Sequence, residues 1–253
     1  MKGLYALSSS SFVRYATISQ KQKERQMELC IALDLPTQEE NLALVEKIKN
    51  YDVWLKVGLR SYIRDGAKFI NALKAINPNF KIFLDLKLYD IPNTMADAAE
   101  SIMGLGIDMF NVHASAGKRA MQEVMQRLEK YEKRPIVLAV TALTSFSEDE
   151  FVAVYEESIS VKADQFARDA HESGLDGVVC SAYESASIKN TTSQEFMTLT
   201  PGIRPFGEDS GDQKRVADVA FAKEAQVDFI VVGRPIYQAQ NPADVVERII
   251  QNL

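Results

Sequence analysis

From Glu28 onward the chain alternates between two hydrophobic patterns. Short apolar, β-branched runs predict buried strands at Leu29–Asp34, Val53–Gly58, Lys81–Lys87, Met109–Ala114, Pro135–Thr141, Gly177–Ala182, Glu195–Thr200 and Phe229–Gly233. Between them, apolar residues recur at helical spacing, as in Leu42, Val45 and Ile48 after Thr37, or Phe69, Ile70, Leu73 and Ile76. Strands that are apolar on both faces imply a parallel sheet covered by helices. Eight βα units in about 225 residues have the count and length of a single-domain (β/α)8 TIM barrel. A doubly wound open sheet is the alternative. No repeat beyond the βα unit and no Pro/Gly-rich linker stands out.

The polar residues within this pattern gather at the C-terminal ends of the strands. Asp34 closes the first, Lys56 the second, Asp85 and Lys87 the third, and His113 the fourth; Thr141 to Ser145 follow the fifth, Pro201 to Arg204 the seventh, and Gly233-Arg234 end the eighth. In a barrel these ends meet at one mouth, where such folds place their sites. A charge inside a buried strand is costly unless paired. Positions two apart on an extended strand share a face, so Asp85 and Lys87 enter the mouth together. With Asp34, Lys56 and Asp90 they form a cluster of carboxylates and ammonium groups. Such pairing keeps a buried lysine protonated against desolvation, ready to protonate a carbanion-like centre. A salt-bridge network closing the barrel end is the other reading of the same spacing. Gly233 permits close backbone approach, and the Arg234 fork suits phosphate oxygens. The segment from Arg204 to Gln213, rich in Gly and acids, is a candidate closing loop or a plain surface loop.

Composition removes several function classes. The net charge of −6 argues against a broad nucleic-acid surface, and no apolar run approaches the roughly 18 residues of a membrane helix. Two cysteines, Cys30 and Cys180, both in apolar runs, predict core thiols and fit a reducing cytoplasm. With two histidines far apart, a His-rich metal site is not expected. His113 is expected to pack and hydrogen-bond, His171 to lie on the surface, and Trp54 to pack against a helix. The acids Glu148, Asp149 and Glu150 suit a helix start. Residues 1–26 are Ser-containing, basic and acid-poor before Glu24. They read as an extension, disordered or non-native, with a transit peptide as the alternative; the folded domain is expected over residues 27–253.

The run Asp85-Leu86-Lys87-Leu88-Tyr89-Asp90-Ile91-Pro92-Asn93-Thr94 resembles the signature of the orotidine 5′-phosphate decarboxylases. Further matches follow the family order: Ala32-Leu33-Asp34, Leu55-Lys56-Val57-Gly58, Val112-His113-Ala114-Ser115, Leu143-Thr144-Ser145, Thr200-Pro201-Gly202-Ile203-Arg204, Gly211-Asp212-Gln213 and Val232-Gly233-Arg234-Pro235. Ala116 departs from a glycine common in the family. The resemblance spans residues 28–250 or so and implies decarboxylation of orotidine 5′-monophosphate to UMP, without metal or organic cofactor. It implies that Lys87 protonates C6, that Asp85 sits against the substrate carboxylate, and that Lys56 and Asp34 hold Lys87 and the ribose hydroxyls. Thr144 would address the pyrimidine, while Gln213, Gly233 and Arg234 would bind phosphate, with Arg204 in the closing loop. Asp90 and Thr94 would serve the neighbouring subunit's site in a homodimer. Two rivals remain at this point: a metal-dependent barrel acting on sugar phosphates, such as a hexulose-phosphate synthase, and a non-catalytic nucleotide-binding barrel.

Overall fold

A computed structural model of the protein describes residues 26–209, Gly211 and residues 214–253. All but the last residue of the expected extension at 1–26 lies outside the described residues. Eight parallel strands close into a barrel, each hydrogen-bonded to the next and β8 to β1. They are β1 (Glu28–Ala32), β2 (Trp54–Gly58), β3 (Lys81–Leu88), β4 (Met109–His113), β5 (Ile136–Val140), β6 (Gly177–Val179), β7 (Met197–Thr200) and β8 (Phe229–Val232). All eight fall on the predicted segments, and the open-sheet alternative is excluded by the β1–β8 pairing.

Local sequence explains the helices between them. Thr37 caps α1 (Gln38–Ile48) in a capping box with Glu40, and the helix buries Leu44, Val45 and Ile48. A second helix, α2 (Leu59–Asp65), continues directly from β2, and α3 (Ala67–Ile76) buries Phe69, Ile70 and Leu73. Pro92 opens α4 (Pro92–Ile102) from the first turn, where its missing N–H costs nothing. Helix α5 (Lys118–Leu128) follows β4. Ser147 caps α6 (Glu148–Tyr155), whose first turn carries the three expected acids. The remaining helices are α7 (Ile159–Glu172), α8 (Ala182–Thr191), α9 (Val219–Glu224), α10 (Arg234–Tyr237) and α11 (Pro242–Ile250).

The apolar core has two shells. Outward-facing strand residues such as Ile31, Leu55 and Ile82 pack against the helices. Inward-facing ones, among them Cys30, Phe83, Met109, Leu138 and Phe229, fill the barrel. Trp54 belongs to this inner shell. It meets Phe229 edge-on at 5.4 Å and donates its indole N–H to Glu28 at 2.7 Å, so it packs inside the barrel and not against a helix. Its position two residues before Lys56 places both on the inner face of β2. Both cysteines are free and buried, and burial raises their thiol pKa values well above normal.

The floor of the barrel carries a repeat that spans two βα units. Asp108, Asp176 and Asp228 each stand immediately before an even-numbered strand. Each carboxylate accepts a hydrogen bond from the second backbone N–H of the preceding odd strand: Ile82, Val137 and Thr198, all at 2.8 Å. Each also pairs with one cation, Lys74 at 3.3 Å, Arg134 at 2.6 Å and Lys189 at 2.8 Å. Two residues before each acid the backbone is left-handed, at Gly106, Gly174 and Gln226. Every acid is thus satisfied by a strand amide and a counter-charge, a stapling of neighbouring strands at the end away from the mouth.

Candidate active site

The mouth is built on a single line of charge. Lys56 Nζ lies 3.3 Å from Asp34 and 3.4 Å from Asp85, while Lys87 Nζ lies 2.6 Å from the other oxygen of Asp85. The order Asp34–Lys56–Asp85–Lys87 alternates in sign, with its middle members buried and Lys87 more open, its side chain 37% exposed. Burial alone would lower the pKa of Lys56, but the carboxylates of Asp85 and Asp34 outweigh it and hold the ammonium above its ordinary value. Burial would likewise raise Asp85, yet Lys56, then Lys87, and hydrogen bonds from Lys87 and Asn111 bring it down to about 2. At neutral pH the inner acid is ionised and the inner lysine charged.

Strand geometry makes room for this line. Lys56 pairs in register with Ala32 and Phe83 and so faces inward, and Gly58 pairs with Asp85. A Cβ at Gly58 would sit 2.9 Å from Lys56 Nζ and 3.0 Å from Asp34 Oδ1, so only glycine leaves the pair undisturbed. The third strand departs from regular alternation. Between Leu84↔Phe110 and Leu88↔Val112 it advances four residues against two on β4, and Lys87 takes a left-handed backbone with φ 54°. Extended alternation alone therefore does not bring Asp85 and Lys87 together. The bulge turns Lys87 back over Asp85, at a backbone cost of about 1–3 kcal/mol that the surroundings must hold.

The charge line opens into a cavity of about 280 Å³, just below the usual range for small-molecule sites, roughly 300–1,000 Å³. Asp34, Lys56, Asp85 and Lys87 line one part, and Thr144, Arg204, Gly233 and Arg234 are among the residues that line the rest. Thr144 and Arg204 are buried. Arg204 donates from Nε to the Asp209 carbonyl at 2.7 Å and from Nη1 to the Ile203 carbonyl at 3.0 Å, bracing the start of the loop. Phe206 lies under the Arg248 guanidinium of α11 at 3.6 Å. Beyond the loop, Lys214 N–H donates to the Thr144 carbonyl at 3.2 Å, and Arg215 reaches the Leu143 carbonyl at 3.3 Å while pairing with Glu184. Gly211 lies directly against the Arg234 guanidinium. Gln213 lies outside the described residues.

Two expected residues stand apart from this cavity. Asp90 and Thr94 are exposed, at the end of the β3 loop and in the first turn of α4. Asp90 lines a shallow surface depression with Tyr89, Ile91, Lys118 and Arg119 instead. His113 packs and hydrogen-bonds as expected. Its Nδ1 meets the Ser115 hydroxyl at 2.7 Å, its ring stacks on Tyr89 at 5.7 Å, and burial followed by the charge of Lys87 lowers its pKa. His171 is exposed and edge-on to Phe196. Sequence reading missed Asn111, which is 1% exposed and hydrogen-bonded to both Lys87 and Asp85. The one signal for it was an amide in the middle of an otherwise apolar strand. Among the described residues, no helix is long and apolar enough to cross a membrane.

Comparison with known proteins agrees with this architecture. Residues 27–249 match the model of the orotidine 5′-phosphate decarboxylase / HUMPS family. The chain is 79% identical to an orotidine 5′-phosphate decarboxylase of Sulfurimonas denitrificans over 227 residues, 90% of this chain and 100% of that one. It is 70% identical to the protein of that name from Nitratiruptor sp., with the same coverage. A crystal structure of the Lactobacillus acidophilus orotidine 5′-phosphate decarboxylase superposes with a TM-score of 0.76 at 33% identity, covering 90% of this chain and 99% of that chain. The chain belongs to the orotidine 5′-phosphate decarboxylase / HUMPS family.

Proposed function

We propose that this chain decarboxylates orotidine 5′-monophosphate to UMP and carbon dioxide, the last step of de novo pyrimidine nucleotide synthesis. The observation that carries the reading is the alternating line Asp34–Lys56–Asp85–Lys87 opening into a cavity that also holds Arg234. The bond from C6 to the carboxylate breaks, its electron pair stays on C6, and carbon dioxide leaves. Lys87 supplies its ammonium proton to C6 and is reprotonated from solvent. A fixed ammonium aimed at charge that develops only during reaction stabilises the transition state more than the ground state. Asp85 holds Lys87 and faces the substrate carboxylate, while Lys56 and Asp34 hold the line and meet the ribose hydroxyls. Thr144 addresses the pyrimidine. Gly233, Arg234 and Gln213 take the phosphate, with the loop from Arg204 closing over it.

The site reads as shared between two copies of the chain. Asp90 and Thr94 stand outside their own cavity, beside exposed Tyr89 and Ile91, and helix α2, at the end of the neighbouring strand β2, exposes Leu59 and Ile63. A second copy covering this rim would receive Asp90 and Thr94 at its own site. A cytoplasmic location would suit the chain's two free, buried thiols.

Loss of orotate-type ultraviolet absorbance when purified protein meets orotidine 5′-monophosphate, with and without a chelator, tests the activity. Turnover that survives the chelator supports it, and an intact substrate refutes it. Mixing and re-equilibrating Lys87→Ala and Asp90→Ala chains tests the sharing, because half the dimers would then carry one unaltered site and activity would return to about a quarter of native. No recovery after confirmed subunit exchange would contradict it.

A further inference from the structure

The Lys87 backbone poses a problem that the charge line does not solve. Its left-handed φ and the shifted register of β3 take its N–H out of the regular ladder with β4. A buried N–H without an acceptor is costly, and a lysine on a long stem has many rotamers to lose before it points anywhere. The side chain that answers both is Asn111, in the middle of β4. It is 1% exposed, opposite Leu138 of β5 and on the inward face with Met109. Its Oδ1 accepts the Lys87 N–H at 2.7 Å, and its Nδ2 donates to Asp85 Oδ1 at 2.8 Å. That same Asp85 oxygen takes Lys87 Nζ at 2.6 Å.

We infer that Asn111 is a positioning residue for the proposed decarboxylation, fixing the aim of Lys87 by tying its backbone and its ammonium to the same carboxylate. The inference rests on the function proposed above. The ring runs from Lys87 N–H through the Asn111 amide to Asp85 and back through Lys87 Nζ. It leaves Asp85 Oδ2 for Lys56 and fixes the rotation of the carboxylate. Asn111 does not line the cavity and acts through its two neighbours. The position demands an acceptor on one side and a donor on the other. Leucine offers neither, and aspartate replaces the donor with a second negative charge beside Asp85. Besides Asp85, the charged or titratable groups nearby are Lys87 on the same strand, Lys56 on β2, Asp34 after β1 and His113 on β4.

The test compares native protein with Asn111→Ala and Asn111→Asp. Asn111→Ala should lower kcat roughly 10- to 100-fold, the scale of a misplaced reacting group, while KM moves less than about threefold. Asn111→Asp should be comparably slow near pH 8 and recover toward pH 5, as protonation restores a donor to Asp85; native protein should show no such rise. If Asn111→Ala does not fold, the pH profile of Asn111→Asp decides alone. A native-like kcat near pH 8 in either folded variant, a rise in KM without loss of kcat, or no acid-side recovery of Asn111→Asp would overturn the inference. Should native protein leave the substrate intact, the function reading falls by itself. Acylation of Lys87 by an amine-reactive activated ester then judges Asn111: faster labelling in Asn111→Ala supports the tether, and unchanged labelling overturns it.

Discussion

The two ends of this barrel use the same residue types for opposite purposes. At the floor, Asp108, Asp176 and Asp228 each take one strand amide and one cation, and the pair Lys189–Asp228 is almost sealed, at 3% and 8% side-chain exposure. At the mouth, two acids and two lysines share a single line, and its last member, Lys87, is 37% exposed toward a cavity. Each floor acid is committed to a strand amide and a cation, an arrangement that staples neighbouring strands. The mouth charges leave one ammonium, that of Lys87, held by Asp85 on one side and facing the cavity on the other. What separates the floor acids from the proposed proton donor is not composition but the strand position that carries them. The floor acids sit at strand starts, whereas Lys87 sits on a bulge in a left-handed conformation.

Substitutions at the two ends should separate activity from stability. Lys87→Ala should cut kcat by roughly a thousandfold or more, since it removes both a proton donor and a fixed charge, with little change in Tm. Comparable turnover by the variant would mean that the ammonium is not the donor. Asp228→Ala should do the reverse. It leaves Lys189 buried without its counter-charge and the Thr198 N–H without its acceptor, which should cost about 3–5 kcal/mol of stability. The surviving folded fraction should keep native kcat. A denaturant titration paired with active-site-normalised rates checks both halves of the contrast.

A smaller change probes the mouth alone. Gly58→Ala places a methyl against Lys56 Nζ and Asp34 Oδ1 and should lower kcat/KM about tenfold through misalignment, leaving Tm nearly unchanged. A large loss of Tm with intact kcat/KM would show that Gly58 serves the fold and not the charge line. The smallest effect concerns pH. Asp85 has its pKa lowered from 3.8 to about 2, so the folded state binds its proton less readily than the unfolded state. Its contribution to stability is complete above 3.8 and is lost as pH falls through about 2. Relative to Asp85→Asn, the native protein should therefore lose stability between those values and hold constant above them.

Much of the architecture was legible in the sequence, for a physical reason. Strands buried on both faces leave near-continuous apolar runs, so β4 and β5 stand out, and a charge inside such a run, such as Lys56, stands out more. The bulge at Lys87 was hidden because it depends on the register between β3 and β4, which no single strand encodes. Asn111 was hidden for the same reason, since its role exists only once β4 lies beside that bulge. Trp54 was assigned to a helix contact because inward and outward faces of a doubly buried strand look alike. The floor repeat escaped notice because it spans two βα units and Gln226 replaces the glycine of the other two copies. Spacing alone groups Asp90 with the mouth charges, whereas the resemblance assigns Asp90 and Thr94 to a neighbouring site; in the folded chain both stand outside their own cavity.

The central claim is that Lys87 delivers its proton to C6 of the pyrimidine. By microscopic reversibility the same group should remove it, so exchange of the C6 hydrogen of UMP for deuterium in heavy water, followed by proton NMR, tests it most directly. Native protein should catalyse the exchange, and Lys87→Ala should bind UMP without catalysing it. Equal exchange by a Lys87→Ala protein that still binds UMP would contradict the account.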